Sequence, residues 1–191
     1  GGAKYKIQVF YLYVSTILGS FLGFATSIVN TNFLSDADYG DVRYVQNLIT
    51  LLASLLLFGY FLSGSRLLAL STNQGYSSRV RGAMVVVLAI CSLILIALTS
   101  ISAFLHRDNG TMSLFLVSLP VCMYPLFTNY INTTAQGDNH IGRLAISRVL
   151  PALLYVPIAY FLYSRITVTS SMMVLLQWGV YCLVLLVIIL S

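Results

Sequence analysis

The sequence predicts an all-α, polytopic membrane protein built as a bundle of six transmembrane helices. Hydrophobic residues make up 59% of the 191 and charged residues only 8%, against about a quarter in a soluble domain. Six stretches contain no Lys, Arg, Asp or Glu: 7–35, 44–65, 82–105, 109–137, 149–164 and 166–191. Five reach the roughly 20 apolar residues of a spanning helix, and the small residues of 142–147 can lengthen the fifth stretch.

The first two spans are separated by a helix-start signal. Ser35 followed by Asp38 is typical of an N-cap with an acidic first turn, so the second helix is predicted to begin there. Within the first span, Gly19 and Gly23 form a GxxxG pair, which we interpret as a close helix-packing face. A similar set of small residues lies near the end of the second span: Gly59, Ser63 and Gly64.

Prolines occur only in the fourth and fifth spans, as Pro120 and Pro125 and as Pro151 and Pro157. Each removes a backbone donor and clashes with the preceding turn. Both spans are therefore predicted to deviate from straight helices, with the other four straighter. A bundle that bends during function and a bundle with static packing kinks are both compatible with this pattern.

Polar side chains concentrate at the end of the fourth span: Thr128, Asn129, Tyr130, Asn132, Thr133, Thr134 and Gln136. Unsatisfied amides in hydrocarbon are costly, so some of these groups must face protein or water. A polar helix end at the membrane interface explains much of the bias, and a substrate cavity could explain the rest. Tyr124, Tyr130 and Tyr155 lie deep enough to line a polar interior or to bury a satisfied hydroxyl.

Basic residues are concentrated in the leader and in alternate gaps between the spans. The leader and the even-numbered gaps hold seven basic residues: Lys4, Lys6, Arg66, Arg79, Arg81, Arg143 and Arg148. The odd-numbered gaps hold three basic residues and four of the five acidic ones: Arg43, Arg107, Arg165, Asp36, Asp38, Asp41 and Asp108. The positive-inside rule therefore places both ends of the chain and residues 67–81 in the cytoplasm.

Composition argues against several classes of function. The net charge of +5 comes from residues at helix ends, which disfavours a nucleic-acid surface. Cys91, Cys122 and Cys182 lie inside apolar runs without metal-ligand spacing, so we expect no metal, cofactor or disulfide. The clusters at 106–108 and 138–140 contain no recognisable catalytic arrangement, so we expect no enzyme.

One stretch resembles a known family. Leu34-Ser35-Asp36-Ala37-Asp38-Tyr39-Gly40 after a long first helix, followed by Gly59 and by Arg66-Leu67-Leu68-Ala69, resembles the polysaccharide-biosynthesis flippases. These proteins translocate lipid-linked oligosaccharides such as O-antigen units and belong to the multidrug/oligosaccharidyl-lipid/polysaccharide exporter superfamily. The stretch from Gln136-Gly137-Asp138 to Arg148 resembles the loop between helices four and five of that family.

The resemblance implies two six-helix bundles around a central cavity that opens alternately to either side of the bacterial inner membrane. Residues 1–191 would form the N-terminal bundle, and the Gly-Gly start and apolar end also favour a fragment of a longer chain. The expected partners are a lipid-linked oligosaccharide, membrane lipids and a C-terminal six-helix half. The candidate substrate-binding residues are Arg43, Arg66, Arg143, Arg148, Asn129 and Gln136.

Two other functions remain open from the sequence. A multidrug or small-molecule exporter of the same superfamily would favour an acidic residue within a helix, and this sequence has none there. A membrane assembly subunit without a substrate would form a tightly packed, dry bundle. The transporter hypothesis predicts instead a hydrophilic face built from helices one, two and four, with Arg66 or Arg148 near its cytoplasmic mouth. Each Arg could alternatively be a snorkelling topology anchor.

Overall fold

The computed structural model describes residues 2–71, 74–107, 110–138 and 140–190, with side chains from Lys6 onward. These ranges contain helices and turns and no strand, which confirms the all-α prediction. In chain order the helices are α1 Gly2–Phe33, α2 Asp36–Leu57, α3 Tyr60–Leu70, α4 Gln74–Leu105, α5 Met112–Ser118, α6 Tyr124–Gly137, α7 Ile141–Tyr163 and α8 Ser170–Leu190. Five spans are long and apolar enough to cross a membrane, and α2 with α3 forms a bent sixth.

The second span begins as the sequence predicts and then breaks where proline is absent. The Ser35 hydroxyl accepts from the Asp38 amide at 3.2 Å and donates to the Asp38 carboxylate at 2.6 Å, which caps α2. Phe58 and Gly59 then adopt left-handed backbone angles, φ 40° and 72°, and α3 leaves at 54° to α2. The expectation that this span would be straighter than the proline-containing spans is therefore wrong.

The prolines act differently in the two spans that contain them. In the fourth span, α5 ends at Ser118 and a 3₁₀ turn over Leu119–Val121 contains Pro120. Pro125 lies in the first turn of α6, where its missing N–H removes no hydrogen bond. In the fifth span, α7 continues as one helix through Pro151 and Pro157. The predicted deviation from a straight helix is confirmed for the fourth span, and for α7 it stays a prediction.

The glycines of the first two spans have unequal roles. A Cβ at Gly19 would lie 3.5 Å from the Arg148 carbonyl oxygen, so this glycine packs against α7. A Cβ at Gly23 would meet nothing within 4 Å, so the proposed packing face is wrong there. Gly64 does pack closely, since its Cβ would lie 2.7 Å from the Met84 sulfur. A Cβ at Gly137 would likewise lie 2.8 Å from the Ser65 carbonyl oxygen, so this glycine lets α6 approach α3 closely.

The helices pack around α8, which contacts α2, α5, α6 and α7. The first helix lies apart from this core: it packs extensively against α7 and only slightly against α2. The apolar core is continuous through the bundle and includes fully buried Ile49, Phe115, Leu126 and Met173. The weak contact between α1 and α2 leaves a space between consecutive helices of the chain.

The connections gather at two ends, as an alternating bundle requires. At the acidic end, defined by the odd-numbered gaps, the Tyr44 hydroxyl lies 2.9 Å from His106 Nε2, and Phe33 packs edge-on against Tyr163. At the basic end, defined by the leader and the even-numbered gaps, Arg81 Nη2 lies 3.0 Å from Asp138 Oδ1. The charge asymmetry of the sequence therefore becomes an asymmetry between the two ends of the bundle.

The basic end is expected to face the cytoplasm. In a cysteine-free background, Ser77→Cys should react with a membrane-impermeant maleimide only after the cells are permeabilised. Ser164→Cys, an exposed position at the acidic end, is the matched control and should react in intact spheroplasts. Labelling of Ser77→Cys from outside would contradict the topology.

The break in the second span depends on Gly59. Gly59→Ala forces a Cβ into the left-handed region and should lower the free energy of unfolding by about 1–2 kcal/mol. Gly40→Ala is the matched control, because Gly40 lies inside α2 with open space around it. That change should stabilise by up to about 1 kcal/mol through helix propensity. Equal shifts in thermal unfolding of the detergent-solubilised variants would contradict the strain argument.

Candidate functional site

A groove of about 760 Å³ runs along the face of the bundle where α1 and α2 diverge. Residues of α1 and α7 form one wall, residues of α2 and α6 form the other, and α8 supplies the floor. The predicted hydrophilic face of helices one, two and four is therefore present, since α6 is the second half of the fourth span. The fifth and sixth spans, which the prediction omitted, also contribute.

The first helix turns a continuous polar and small-residue face toward this groove. Its lining positions recur every three to four residues, which places them on one side of a helix: Ser15, Thr16, Gly19, Ser20, Gly23, Thr26, Ser27 and Asn30. At 1.5 Å rise per residue this face extends about 20 Å along the helix axis. The groove is therefore long enough to cross most of the hydrocarbon core, which is about 30 Å thick.

The hydroxyl groups of the α1 face are satisfied within their own helix. Thr16 donates to the Leu12 carbonyl at 2.8 Å, Thr26 donates to Leu22 at 2.8 Å, and Ser20 donates to Thr16 at 3.0 Å. Each hydroxyl oxygen still keeps acceptor lone pairs that point away from the helix. The face can therefore exist at membrane depth and can still accept hydrogen bonds from a polar ligand.

A buried polar network lies along the groove toward its acidic end. Asn30 Nδ2 donates to Gln177 Oε1 at 3.2 Å, and Gln46 Nε2 donates to the same oxygen at 3.4 Å. The Tyr155 hydroxyl donates to Asn30 Oδ1 at 2.6 Å and lies 3.1 Å from the Tyr163 hydroxyl. The network joins α1, α2, α7 and α8, so it fixes the four helices that surround this part of the groove.

An aromatic group lies on the floor and one wall, midway along the groove. The Tyr124 ring centroid is 5.4 Å from that of Trp178 and 5.2 Å from that of Tyr181. Such rings combine a broad apolar surface with polar handles. Thr128 and Asn132 follow Tyr124 along the same face of α6, so hydroxyl and amide groups continue the wall toward the basic end.

Two arginines are the charged side chains among the described residues that line the groove, and they lie at opposite ends of it. Arg148 Nη1 donates to the Thr16 hydroxyl at 2.8 Å. Arg43 lies with its guanidinium carbon 5.8 Å from the centre of the Tyr39 ring, one helical turn from Gln46. Arg148 occupies the mouth at the basic end, as predicted for Arg66 or Arg148.

The other four candidate residues do not line the groove. Arg66, Arg143 and Gln136 are exposed near the basic end. The Asn129 amide donates to the Pro125 carbonyl at 3.0 Å within α6. Sequence reasoning missed the α1 face, Gln46, Gln177 and Trp178. The α1 face could have been found, because its small and polar residues recur with helical spacing through an otherwise apolar run.

Comparison with known proteins identifies a family but no individual relative. A family profile described as Polysaccharide biosynthesis protein matches residues 7–190, which is nearly the whole chain. No curated protein and no solved structure gives a significant match. Within the described ranges, no group of three or more His, Cys, Asp or Glu side chains could hold a metal ion.

The buried network should contribute measurably to stability. Tyr155→Phe removes the donor to Asn30 Oδ1 and leaves that oxygen buried, so it should lower the free energy of unfolding by about 1–2 kcal/mol. Tyr160→Phe, at an exposed position five residues later in α7, should change it by less than about 0.5 kcal/mol. Denaturant unfolding in detergent measures both. If the Tyr155→Phe variant is as stable as the Tyr160→Phe variant, the network does not contribute to the free energy of unfolding.

Proposed function

The chain belongs to the polysaccharide biosynthesis protein family, and from this premise we propose that it is the N-terminal half of a lipid-linked oligosaccharide flippase. The substrate would be an oligosaccharide joined through a diphosphate to undecaprenol. The protein would move it across the bacterial inner membrane for surface polysaccharide synthesis. The observation that carries this proposal is the polar groove with an arginine at each end.

The physical problem of such transport matches the chemistry of the groove. A diphosphate and a glycan would lose many hydrogen bonds to water if they entered hydrocarbon, at a cost of several kcal/mol for each unpaired polar group. The hydroxyl and amide groups along α1, α2 and α6 offer replacements for those bonds. Arginine binds phosphate oxygens through two parallel N–H donors, which makes Arg43 and Arg148 suitable diphosphate partners.

The groove also bears on the alternative functions. A cation-selective multidrug exporter would need acidic groups facing its cavity, and the described lining residues carry two arginines and no acid. An assembly subunit without a substrate would have a dry, closely packed bundle, whereas this bundle is open between α1 and α2. The polar groove also favours transport over catalysis, since its two charged groups lie at opposite ends.

The proposal includes a second bundle. Thr16, Ser20 and Thr50 line the groove and are exposed on the surface of this bundle. Exposed polar groups of this kind are disfavoured against lipid tails, so a C-terminal six-helix half would cover them and complete the cavity. Both termini of this chain would then lie on the cytoplasmic side with the basic end.

The arginines test this function. In the intact protein, Arg148→Ala should reduce surface-glycan export about tenfold or more, because it removes a charge-assisted phosphate partner. Arg66→Ala, at the same end but outside the groove, should cause a smaller loss. Arg79→Ala is the control. This variant should export surface glycan normally, because Arg79 is exposed and serves only as a topology anchor. Equal and negligible effects of all three changes, at normal expression, would remove the substrate role from these residues.

A further inference from the structure

The two arginines of the groove lie too far apart to share one phosphate group. We propose that Arg148 and Arg43 form two separate anion stations, which the diphosphate occupies in turn: capture at Arg148 and release at Arg43. This proposal rests on the proposed function and adds a direction to it.

The separation follows from the helices that hold each arginine. Arg148 bonds Thr16, and Gln46 shares Gln177 with Asn30, so Gln46 lies at the level of Asn30. Thr16 and Asn30 are about 20 Å apart along α1 at 1.5 Å rise per residue. Arg43 precedes Gln46 by one turn of α2, on the side toward the acidic end. A diphosphate that contacts one guanidinium at hydrogen-bond distance cannot contact the other.

Each arginine has donors left for an anion. Arg148 donates to a neutral hydroxyl, and Arg43 lies over the Tyr39 ring. Neither forms an ion pair with a described carboxylate, in contrast to Arg81, which pairs with Asp138 at 3.0 Å. A guanidinium has five N–H donors, so a single hydroxyl contact leaves Arg148 able to bind a phosphate with two donors.

The two stations differ in their electrostatic surroundings. The basic end, where Arg148 lies, carries seven basic residues of the sequence and one acidic residue. Arg43 lies in the first turns of α2 together with Asp36, Asp38 and Asp41. Like charge near a bound anion weakens its binding, so the Arg43 station is expected to hold a diphosphate less tightly than the Arg148 station.

The stretch between the stations is neutral. Ser20, Ser27, Thr128 and Asn132 line it, and no charged side chain lies among the described lining residues between Arg148 and Arg43. Hydroxyl and amide groups can hold a diphosphate or a sugar there without the tight binding of a charge pair. A transporter needs binding strength that differs along its path, because an anion that is bound strongly at every step would not leave.

Binding and export measured together test the two stations. The intact protein is placed in nanodiscs and titrated with farnesyl diphosphate, a soluble probe of the lipid-diphosphate group. Arg148→Gln should weaken probe binding about tenfold or more, the loss expected for one charge-assisted phosphate contact. Arg43→Gln should change the Kd by less than about twofold, because the tighter station remains. Both variants should nevertheless export surface glycan poorly.

Matched controls separate these effects from folding. Arg79→Gln and Arg165→Gln remove exposed charges from the basic and acidic ends outside the groove and should change neither binding nor export. Arg43→Lys and Arg148→Lys keep the charge and should partly restore export. Thermal unfolding of each variant reports whether the bundle is intact, and the lysine variants test the charge if a glutamine variant is unstable.

The outcomes distinguish this proposal from the function on which it rests. Equal loss of probe binding in Arg43→Gln and Arg148→Gln would show a single shared site and overturn the two stations while the flippase function stands. Normal export by Arg43→Gln would overturn its release role in the same way. Wild-type protein that neither binds the probe nor supports surface-glycan export would contradict both the two stations and the flippase function.

Discussion

The hydrogen bonds among Asn30, Gln46, Gln177 and Tyr155 are the constraint on which the groove depends. Helices in lipid gain little from hydrophobic burial against one another, so interhelical hydrogen bonds and close packing must hold them. Asn30 is 2% exposed and Tyr155 is fully buried, and their bond joins α1 to α7. Gln177 then connects α1 to α2 at one point. Away from this point α1 and α2 lie apart, and the groove occupies the space between them.

The first helix can line a polar space within the membrane because one of its sides suits the groove and the other suits lipid. Its serine and threonine hydroxyls donate to carbonyls about one turn earlier, so these donors are paired at membrane depth. Its opposite side carries exposed Phe10, Phe21 and Phe24, which suit contact with lipid. Gly23 leaves space on the groove side, where a larger side chain would narrow the cavity. The helix is therefore amphipathic across the membrane, with groove on one side and lipid on the other.

The sequence predicted the fold more fully than the site. The length and apolarity of each stretch were sufficient to predict six spans. The charges between the stretches were sufficient to assign each gap to one of the two ends of the bundle. Both properties can be read from short segments of the sequence. The bend at Phe58–Gly59 was not predicted, because a left-handed backbone conformation is marked in the sequence only by a single glycine, whereas a proline kink is marked by the proline itself. Arg43 and Arg148 were found because charges near apolar runs are conspicuous. Gln46 and Gln177 were missed because their meeting depends on the rotation of two helices 131 residues apart in sequence.

The break in the second span divides it between two tasks. Before the break, α2 lines the groove with Tyr39, Arg43 and Thr50 near the acidic end. After it, α3 turns away by 54° and packs against α4 and α6, where Gly64 meets Met84 and Gly137 meets Ser65. The groove wall toward the basic end then passes to α6, which supplies Thr128 and Asn132. The left-handed pair at Phe58 and Gly59 thus separates the part of the span that lines the groove from the part that packs against α4 and α6.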